Sequence, residues 1–256
     1  KIKLLDTSEA EAMPGVIRIF TAYDIPGENQ IGGIIPDEEL LASTHVHFCG
    51  MPVALVVAET DEAARAAIKK IKVEIELLTI ITDPREAKEK GELIIPPRTF
   101  QIGDITTAWS QCKYIFEGRT ETNGQEHLYI ETQGAYAVPQ ENGVIRIYSS
   151  TQGPTAVQRT AARVLAIPMN QIEVDTTRLG GGFGGKEDQA TTWGVMCALA
   201  CYHLKKPVKY SLHRMEDMRM TGKRHPYSSD FKIGLNKDLK ILAYEAIFYQ
   251  NAGAAA

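Results

Sequence analysis

Short apolar runs and amphipathic stretches alternate along the first third of this chain. Val16 to Phe20 reads as a strand, and Pro52 to Ala58 as a nearly continuous apolar run, short enough for a buried one. Ser8-Glu9-Ala10-Glu11 has the capping-box form, which predicts a short helix from Ser8 to Met13 that Pro14-Gly15 ends. Thr60 can cap a second helix from Asp61 to Ile71, whose alanines and lysines suit an amphipathic surface helix. Val73 to Ile81 returns as strand, and Asp83-Pro84 starts one more short helix. Strand, helix and strand with a right-handed crossover imply a small α/β domain over residues 1–85. Charged residues followed by Pro96-Pro97 mark a linker over 86–110.

Beyond the linker the pattern changes. Tyr114 to Thr122 and Leu128 to Val138 are strand-like, and Asn142-Gly143 turns the second into Val144 to Ser149. Pro154 to Leu165 reads as a helix with one apolar face. Ile172 to Arg178 is polar and β-patterned, Ala190 to Leu204 is a long apolar helix, and Pro207 to Leu212 is another strand. A hairpin of Phe231–Leu235 and Ile241–Gln250 follows, around Asn236-Lys237-Asp238. The fold class is α+β, a small α/β domain followed by the first part of a larger α+β domain over 111–256. The chain opens at Lys1 in what reads as a strand and stops just after another. A segment of a longer polypeptide, or a subunit lacking pieces, is therefore expected.

Between the strand ending at Arg178 and the apolar helix lies Gly180-Gly181-Gly182-Phe183-Gly184-Gly185-Lys186-Glu187. Glycine permits positive φ and lets another molecule approach bare N–H groups. A glycine loop feeding a helix N-terminus suits an anionic group or a developing oxyanion. Phe183 is then displayed by the loop, since its ring cannot pack inside so small a turn. Gly180, Gly182 and Gly185 formally satisfy the dinucleotide pattern, but the acidic residue expected about 20 positions on is replaced by apolar helix. Gly180 to Lys186 also opens like a phosphate loop, yet Glu187 stands where a magnesium-binding hydroxyl belongs. A nucleotide-binding module is the alternative reading, and a non-catalytic assembly domain a third.

Composition acts mainly by exclusion. The chain has 256 residues, 44% hydrophobic and 23% charged, which is ordinary for a soluble globular protein. A net charge of −4 gives no electrostatic case for nucleic acid or a membrane surface. No apolar run approaches the roughly 18 residues of a membrane span, and no signal peptide is visible. Cys49, Cys112, Cys197 and Cys201 match no disulfide framework, which points to a reducing compartment, the cytoplasm.

Other constellations are weaker. Gln152 lies between a strand and a helix start, where its amide can donate and accept at once, or merely cap the helix. Glu187 gains from the helix dipole, or faces a ligand beside Phe183. Cys197, Cys201 and His203 fall short of the four ligands of a structural zinc site, and Cys201 and His203 diverge around the helix. Glu126-His127 and Arg224-His225-Pro226 read as local structure. No H-x-x-x-H or G-x-S-x-G occurs, so hydrolase readings lack support.

Taken together, several segments resemble the molybdenum hydroxylases, in particular the molybdenum-binding part of the xanthine dehydrogenases. These are Gln125-Glu126-His127-Leu128-Tyr129-Ile130-Glu131-Thr132, Thr151-Gln152, the glycine loop with Lys186-Glu187, Glu216-Asp217-Met218, Thr221-Gly222 and Arg224-His225-Pro226. Pro14-Gly15-Val16, Asp24-Ile25-Pro26-Gly27 and Gly50-x-Pro52-Val53-Ala54 are similar to the family's "hammerhead" domain. The resemblance implies an oxidoreductase that hydroxylates a carbon next to a ring nitrogen with oxygen from water. It implies a molybdopterin cofactor whose dithiolene holds the metal. Gln152 would hydrogen-bond near the metal's oxo group, and the main chain at Gly182, Phe183 and Gly184 would line the molybdenum. Gln152 and Phe183 would thus lie near the metal without being side-chain ligands. Glu187 would contact the heterocycle, and since aldehyde-oxidising relatives tend to lack that carboxylate, it favours purines (hypoxanthine, xanthine) over aldehydes. The family's glutamate base and its arginine motifs would fall beyond Ala256, so no catalytic residue is assigned within the chain. Iron–sulfur clusters and FAD would sit on other chains or other parts of an oligomer.

Overall fold

The computed structural model describes residues 1–255. In chain order its first elements are β1 (Ile2–Asp6), α1 (Ser8–Glu11), β2 (Val16–Phe20), β3 (Leu55–Ala58), α2 (Asp61–Ile68), β4 (Lys72–Ile75), α3 (Pro84–Lys90), α4 (Ile105–Ser110) and β5 (Tyr114–Thr122). There follow β6 (Gly134–Pro139), β7 (Ile145–Ser149), α5 (Pro154–Leu165), β8 (Ile172–Asp175), α6 (Gln189–Leu204), β9 (Val208–Ser211), α7 (Arg214–Met220), β10 (Tyr227–Leu235) and β11 (Ile241–Gln250). The mixture of helices and mostly antiparallel strands is an α+β fold. Contacts divide the chain into two units that do not follow sequence order. One joins residues 1–78 with 126–222 and Ala255, the other 79–125 with 223–254.

The first unit is built on α6. From Trp193 to Cys201 this helix is buried without a break, as expected of a helix that is apolar all round. With α5 it packs on a four-stranded sheet ordered β8-β7-β6-β9, in which β6 runs antiparallel to both neighbours and β7 parallel to β8. Fixed φ at Pro154 opens α5, and its Val157, Ala161, Val164 and Leu165 are fully buried or nearly so. Phe20, Leu40, Leu41 and Leu55 from the N-terminal segment enter the same core. At roughly 1.5–3 kcal/mol for each large side chain buried, that shared core binds the segment firmly. Polar ties reinforce it: the Gly27 amide donates to the Val164 carbonyl at 2.9 Å, and a His203 ring nitrogen lies 2.8 Å from the Asp24 carbonyl.

The expected crossover in the N-terminal segment is not formed. β3 pairs antiparallel with β2, whereas β4 pairs antiparallel with β1 in a separate two-stranded sheet. Helix α2 therefore links two sheets rather than two strands of one. A small second core of Ala10, Ile19 and Ala67 sits between its helices and β2. Thr60 caps α2 by accepting from the Ala63 amide at 3.1 Å, as its position predicts, but the helix ends at Ile68 rather than Ile71. The capping box at Ser8 is also displaced. Asp6 takes the Ser8 hydroxyl at 2.6 Å and its amide at 3.0 Å, so Thr7 becomes the cap residue.

Several expected strands are shorter than their sequence patterns, Pro52–Ala58 among them, which is strand only from Leu55. Val73–Ile81 is strand only to Ile75, and Ile172–Arg178 only to Asp175. Leu128–Val138 begins at Gly134, because the main chain before it is bound elsewhere. The Arg214 guanidinium donates to the Tyr129 and Ile130 carbonyls at 2.5 and 2.7 Å, and Leu128 has φ 47°. Among the described residues no helix is long and apolar enough to cross a membrane.

The second unit is a three-stranded antiparallel sheet ordered β11-β10-β5. Asp83 caps α3, and Arg85 from that helix grips Asp230 through two hydrogen bonds of 2.7 and 2.8 Å while lying 4.1 Å from the Tyr249 ring centre. Residues 86–110 include most of α3 and all of α4, whose Trp109 lies against Gly234 together with Cys112 just beyond the helix.

Two consequences can be measured. A Cβ on Gly194 would stand 2.8 Å from Val157 Cγ1, where α6 meets α5. Gly194→Leu should therefore lower stability by about 1–3 kcal/mol in chemical denaturation. The Arg85 hydrogen bond, helped by Arg119, holds the Asp230 carboxyl at about 2 against an ordinary 3.8. A depressed carboxyl stabilises the folded form above its unfolded value and loses that contribution as pH falls through the folded one. Thermal stability should fall between about pH 4 and pH 2, and Asp230→Asn should flatten that limb.

Candidate functional site

The glycine loop runs from the end of β8 to the start of α6, and its geometry is set by side chains from two other segments. Gln152, just past β7, is bound to the loop from both sides of its residue. Its main-chain N–H donates to the Lys186 carbonyl at 2.8 Å, and its side-chain Oε1 accepts from the Gly184 and Lys186 amides at 3.1 and 3.2 Å. Amide donors on one end identify that end as oxygen, so Nε2 is the end left to donate. The expectation that Gln152 both donates and accepts toward a ligand is thereby narrowed, because the acceptor half is already used.

The turn itself needs left-handed backbone at Gly181, Phe183 and Gly184, with φ of 94°, 53° and 88°. Phe183 is a non-glycine residue held in that region, and its side chain is 76% exposed. Gly182 is buried, and a Cβ there would lie 2.3 Å from Gln152 Oε1. Among the described residues the amides of Gly181, Gly182 and Phe183 have no hydrogen-bond acceptor, while those of Gly180, Gly184, Gly185 and Lys186 all do. Three successive free donors, one on a buried residue, fit an oxygen-rich group resting on the loop.

The loop does not feed directly into the helix. Asp188 is the cap residue and α6 begins at Gln189, so Glu187 lies outside the first turn. The amides at 181–183 are therefore not those of a helix N-terminus, and the dipole argument for them and for Glu187 falls. Glu187 is exposed and has no partner among the described residues.

Beneath the loop lies a polar network whose residues had no role assigned from sequence. The Lys186 side chain is 0% exposed; its Nζ donates to Glu131 Oε2 at 3.0 Å and to Ser150 Oγ at 2.6 Å, and faces the Tyr129 ring at 4.6 Å. Glu131 Oε2 also accepts from the Gly180 amide at 2.8 Å, while the Glu131 amide donates to the Gly180 carbonyl at 3.2 Å. Gln133 donates to the Gly185 carbonyl at 2.9 Å and to Tyr129 Oη at 3.0 Å. Tyr129 in turn donates to the buried Asp217 at 2.7 Å, which also accepts the Gln133 amide at 2.6 Å. Burial pushes the Lys186 ammonium below its ordinary range, opposed by the hydrogen bond and charge of Glu131. Burial works to raise the Glu131 carboxyl, but Ser150, the Gly180 amide and Lys186 together hold it down. Burial first and Asp217 second push the Tyr129 hydroxyl up, so it remains a donor. The available signal for this network was Glu131 and Gln133, polar at alternate positions in an otherwise strand-like run.

The network weighs against the phosphate-loop reading, because the Lys186 ammonium is spent inside the protein. Cys197 and Cys201 are buried, burial raises the Cys201 thiol to about 11, and Cys197 Sγ donates to the Ala135 carbonyl at 3.4 Å.

Comparison with known proteins identifies the family. Residues 86–256 match the family model described as molybdopterin cofactor-binding domain. Residues 1–79 match that of the aldehyde oxidase and xanthine dehydrogenase a/b hammerhead domain. The chain is 38% identical over 252 residues to a xanthine dehydrogenase of Dictyostelium discoideum, covering 98% of this chain and 19% of that protein. A xanthine dehydrogenase/oxidase of Gallus gallus is 38% identical over 257 residues, covering 100% and 19%. Among solved structures, the aldehyde oxidoreductase of Desulfovibrio gigas superposes with a TM-score of 0.87 at 28% identity, over 96% of this chain and 29% of that one. The chain thus spans about a fifth of the length of the relatives it matches in sequence. With the hammerhead and molybdopterin cofactor-binding domains both matched, the chain belongs to the aldehyde oxidase and xanthine dehydrogenase family of molybdenum-dependent oxidoreductases.

Proposed function

We propose that this chain supplies one wall of the active site of a xanthine dehydrogenase-like hydroxylase acting on purines such as hypoxanthine or xanthine. The observation that carries the reading is the loop around Phe183, with free main-chain donors at 181–183 beside a Gln152 whose donor end is left over. When bound, the molybdenum cofactor would supply the redox chemistry, as acceptor of the two electrons released, with two protons, when oxygen from water is added to the substrate carbon. The residues of the chain bind and orient. Gln152 Nε2 and the amides of Gly182 and Phe183 would donate to acceptor oxygens of that group. Gly184 closes the turn by giving its amide to Gln152, and the Phe183 ring borders the space where substrate lies. The roles follow from the donor set, since preorganised N–H groups suit an oxygen-rich, negatively charged ligand.

Glu187 is the proposed substrate contact. An unpaired carboxylate can accept from ring N–H groups of a purine or, once protonated, donate to its exocyclic oxygen. A second reading, oxidation of aldehydes, is favoured by the superposition on an aldehyde oxidoreductase, but an aldehyde has no N–H to donate to that carboxylate. Iron–sulfur and FAD components would complete an oligomeric enzyme on other chains or other regions. All four cysteines are free thiols, which supports a reducing, cytoplasmic setting.

The test uses the full-length protein with its partners. Turnover of hypoxanthine or xanthine should exceed that of an aromatic aldehyde, and the opposite preference would remove the purine assignment. Glu187→Ala should lower kcat/KM for the purine by about 10²-fold while leaving molybdenum content unchanged. Parallel loss of metal would instead make Glu187 a structural carboxylate.

A further inference from the structure

One carboxylate oxygen joins three separate parts of the site. Glu131 Oε2 accepts from the Gly180 amide at 2.8 Å, from Ser150 Oγ at 2.5 Å and from Lys186 Nζ at 3.0 Å. Gly180 is the first residue of the glycine loop, Lys186 closes it, and Ser150 lies two residues before Gln152. Lys186 also donates to Ser150 Oγ at 2.6 Å, so Glu131, Ser150 and Lys186 form a closed ring of bonds to which the Gly180 amide is tied through Glu131. A loop of five glycines has unusually wide backbone freedom, and nothing in its own side chains restrains it. Its ends are held together by a side chain from a different segment.

We propose that Glu131 is the positioning residue of this site: it fixes the glycine loop and Gln152 in the geometry that receives the cofactor, with Lys186 as its buried counter-charge. The inference rests on the reading that the loop and Gln152 face the cofactor. Charge is needed because all three groups on the oxygen are donors, one of them an ammonium that is 0% exposed. A carboxamide in its place accepts more weakly and brings an N–H₂ group among donors. The Glu131 side chain is itself 43% exposed, so the carboxylate does not serve to fill the core, and a glutamine of the same shape should be accommodated. Displacement of such a loop by about 1 Å can cost on the order of 10²-fold in rate without any lost contact to substrate.

The experiment compares Glu131→Gln, Glu131→Asp, Ser150→Ala and Gln152→Ala in the full-length holoenzyme. Three quantities are read: molybdenum per protein, the Mo(V) electron paramagnetic resonance line shape after partial reduction with dithionite, and kcat and KM for xanthine. Glu131→Gln should keep its molybdenum, alter the line shape, and lower kcat about 10–100-fold with KM little changed. Ser150→Ala should shift the spectrum the same way and less, and Glu131→Asp should recover part of the loss. A wild-type line shape in Glu131→Gln, or kcat falling only in proportion to molybdenum, would overturn the proposal. If Glu131→Gln does not fold, Ser150→Ala and Glu131→Asp decide alone, and wild-type spectra in both refute it. Gln152→Ala separates the two levels. An altered spectrum there with silent Glu131 variants removes only the positioning role, whereas an unaltered one removes the reading of the site itself.

Discussion

The buried ammonium of Lys186 is the constraint on which the site turns. Moving a charge out of water costs several kcal/mol unless it is paired and hydrogen-bonded. Here Glu131, Ser150 and the face of Tyr129 surround it, and Asp217 adds a favourable charge. Glu131 and Tyr129 come from the segment before β6, Ser150 from just past β7 and Asp217 from α7, so Lys186 can be buried only when all three are in place. The main chain of Lys186 meets the same requirement, since its amide and carbonyl are both bound to Gln152. One residue therefore couples the shape of the loop to the position of the amide that faces out of it.

The rest of the first unit makes that coupling rigid. The buried helix α6 begins shortly after the loop, and the sheet it covers has β7 as an inner strand, from whose end Ser150 and Gln152 extend. Apolar packing fixes where β7 and α6 lie relative to each other, to within the tolerance of a close-packed interior. The polar ring then closes the short gap between them. Core and site are thus not independent layers: the hydrophobic term places the ends of the loop, and a few directional bonds determine the conformation between them.

Much of this was legible in the sequence, and the exceptions share a cause. The bounds of α5 and β5 agree with their sequence patterns, and α6 and β7 differ from theirs by one residue each, because proline, apolar periodicity and turn residues are local signals. The glycine loop and Gln152 stood out by composition and position. What failed was partner choice and termination. Nothing local tells that β4 pairs with β1 rather than joining β3, and the apolar pattern of Leu128–Val138 hides the fact that Arg214 claims two of its carbonyls. Glu131, Gln133, Ser150 and Asp217 are polar residues whose bonds span 19 to 88 positions of sequence, and spacing rules see only a few. Lys186 stood out only as the last residue of a phosphate-loop pattern, and nothing local showed that its ammonium is buried.

The division between glycine and charge has a further logic. A cofactor that brings its own metal ligands asks the protein for donors and room rather than for ligating side chains. Bare amides at 181–183 give the most donors in the least space, and side chains there would occupy that space, as the clash of a Gly182 Cβ with Gln152 shows. Such a backbone cannot restrain itself, because each glycine added for access also adds conformational freedom. The restraint must then come from behind, through groups that never touch the ligand. A charged ring satisfies this better than apolar contact would, since hydrogen bonds fix direction as well as distance. The exposed ring of Phe183 and the buried head of Lys186 are two sides of that arrangement: the loop is open at its free amides and tied down through an ammonium that solvent does not reach.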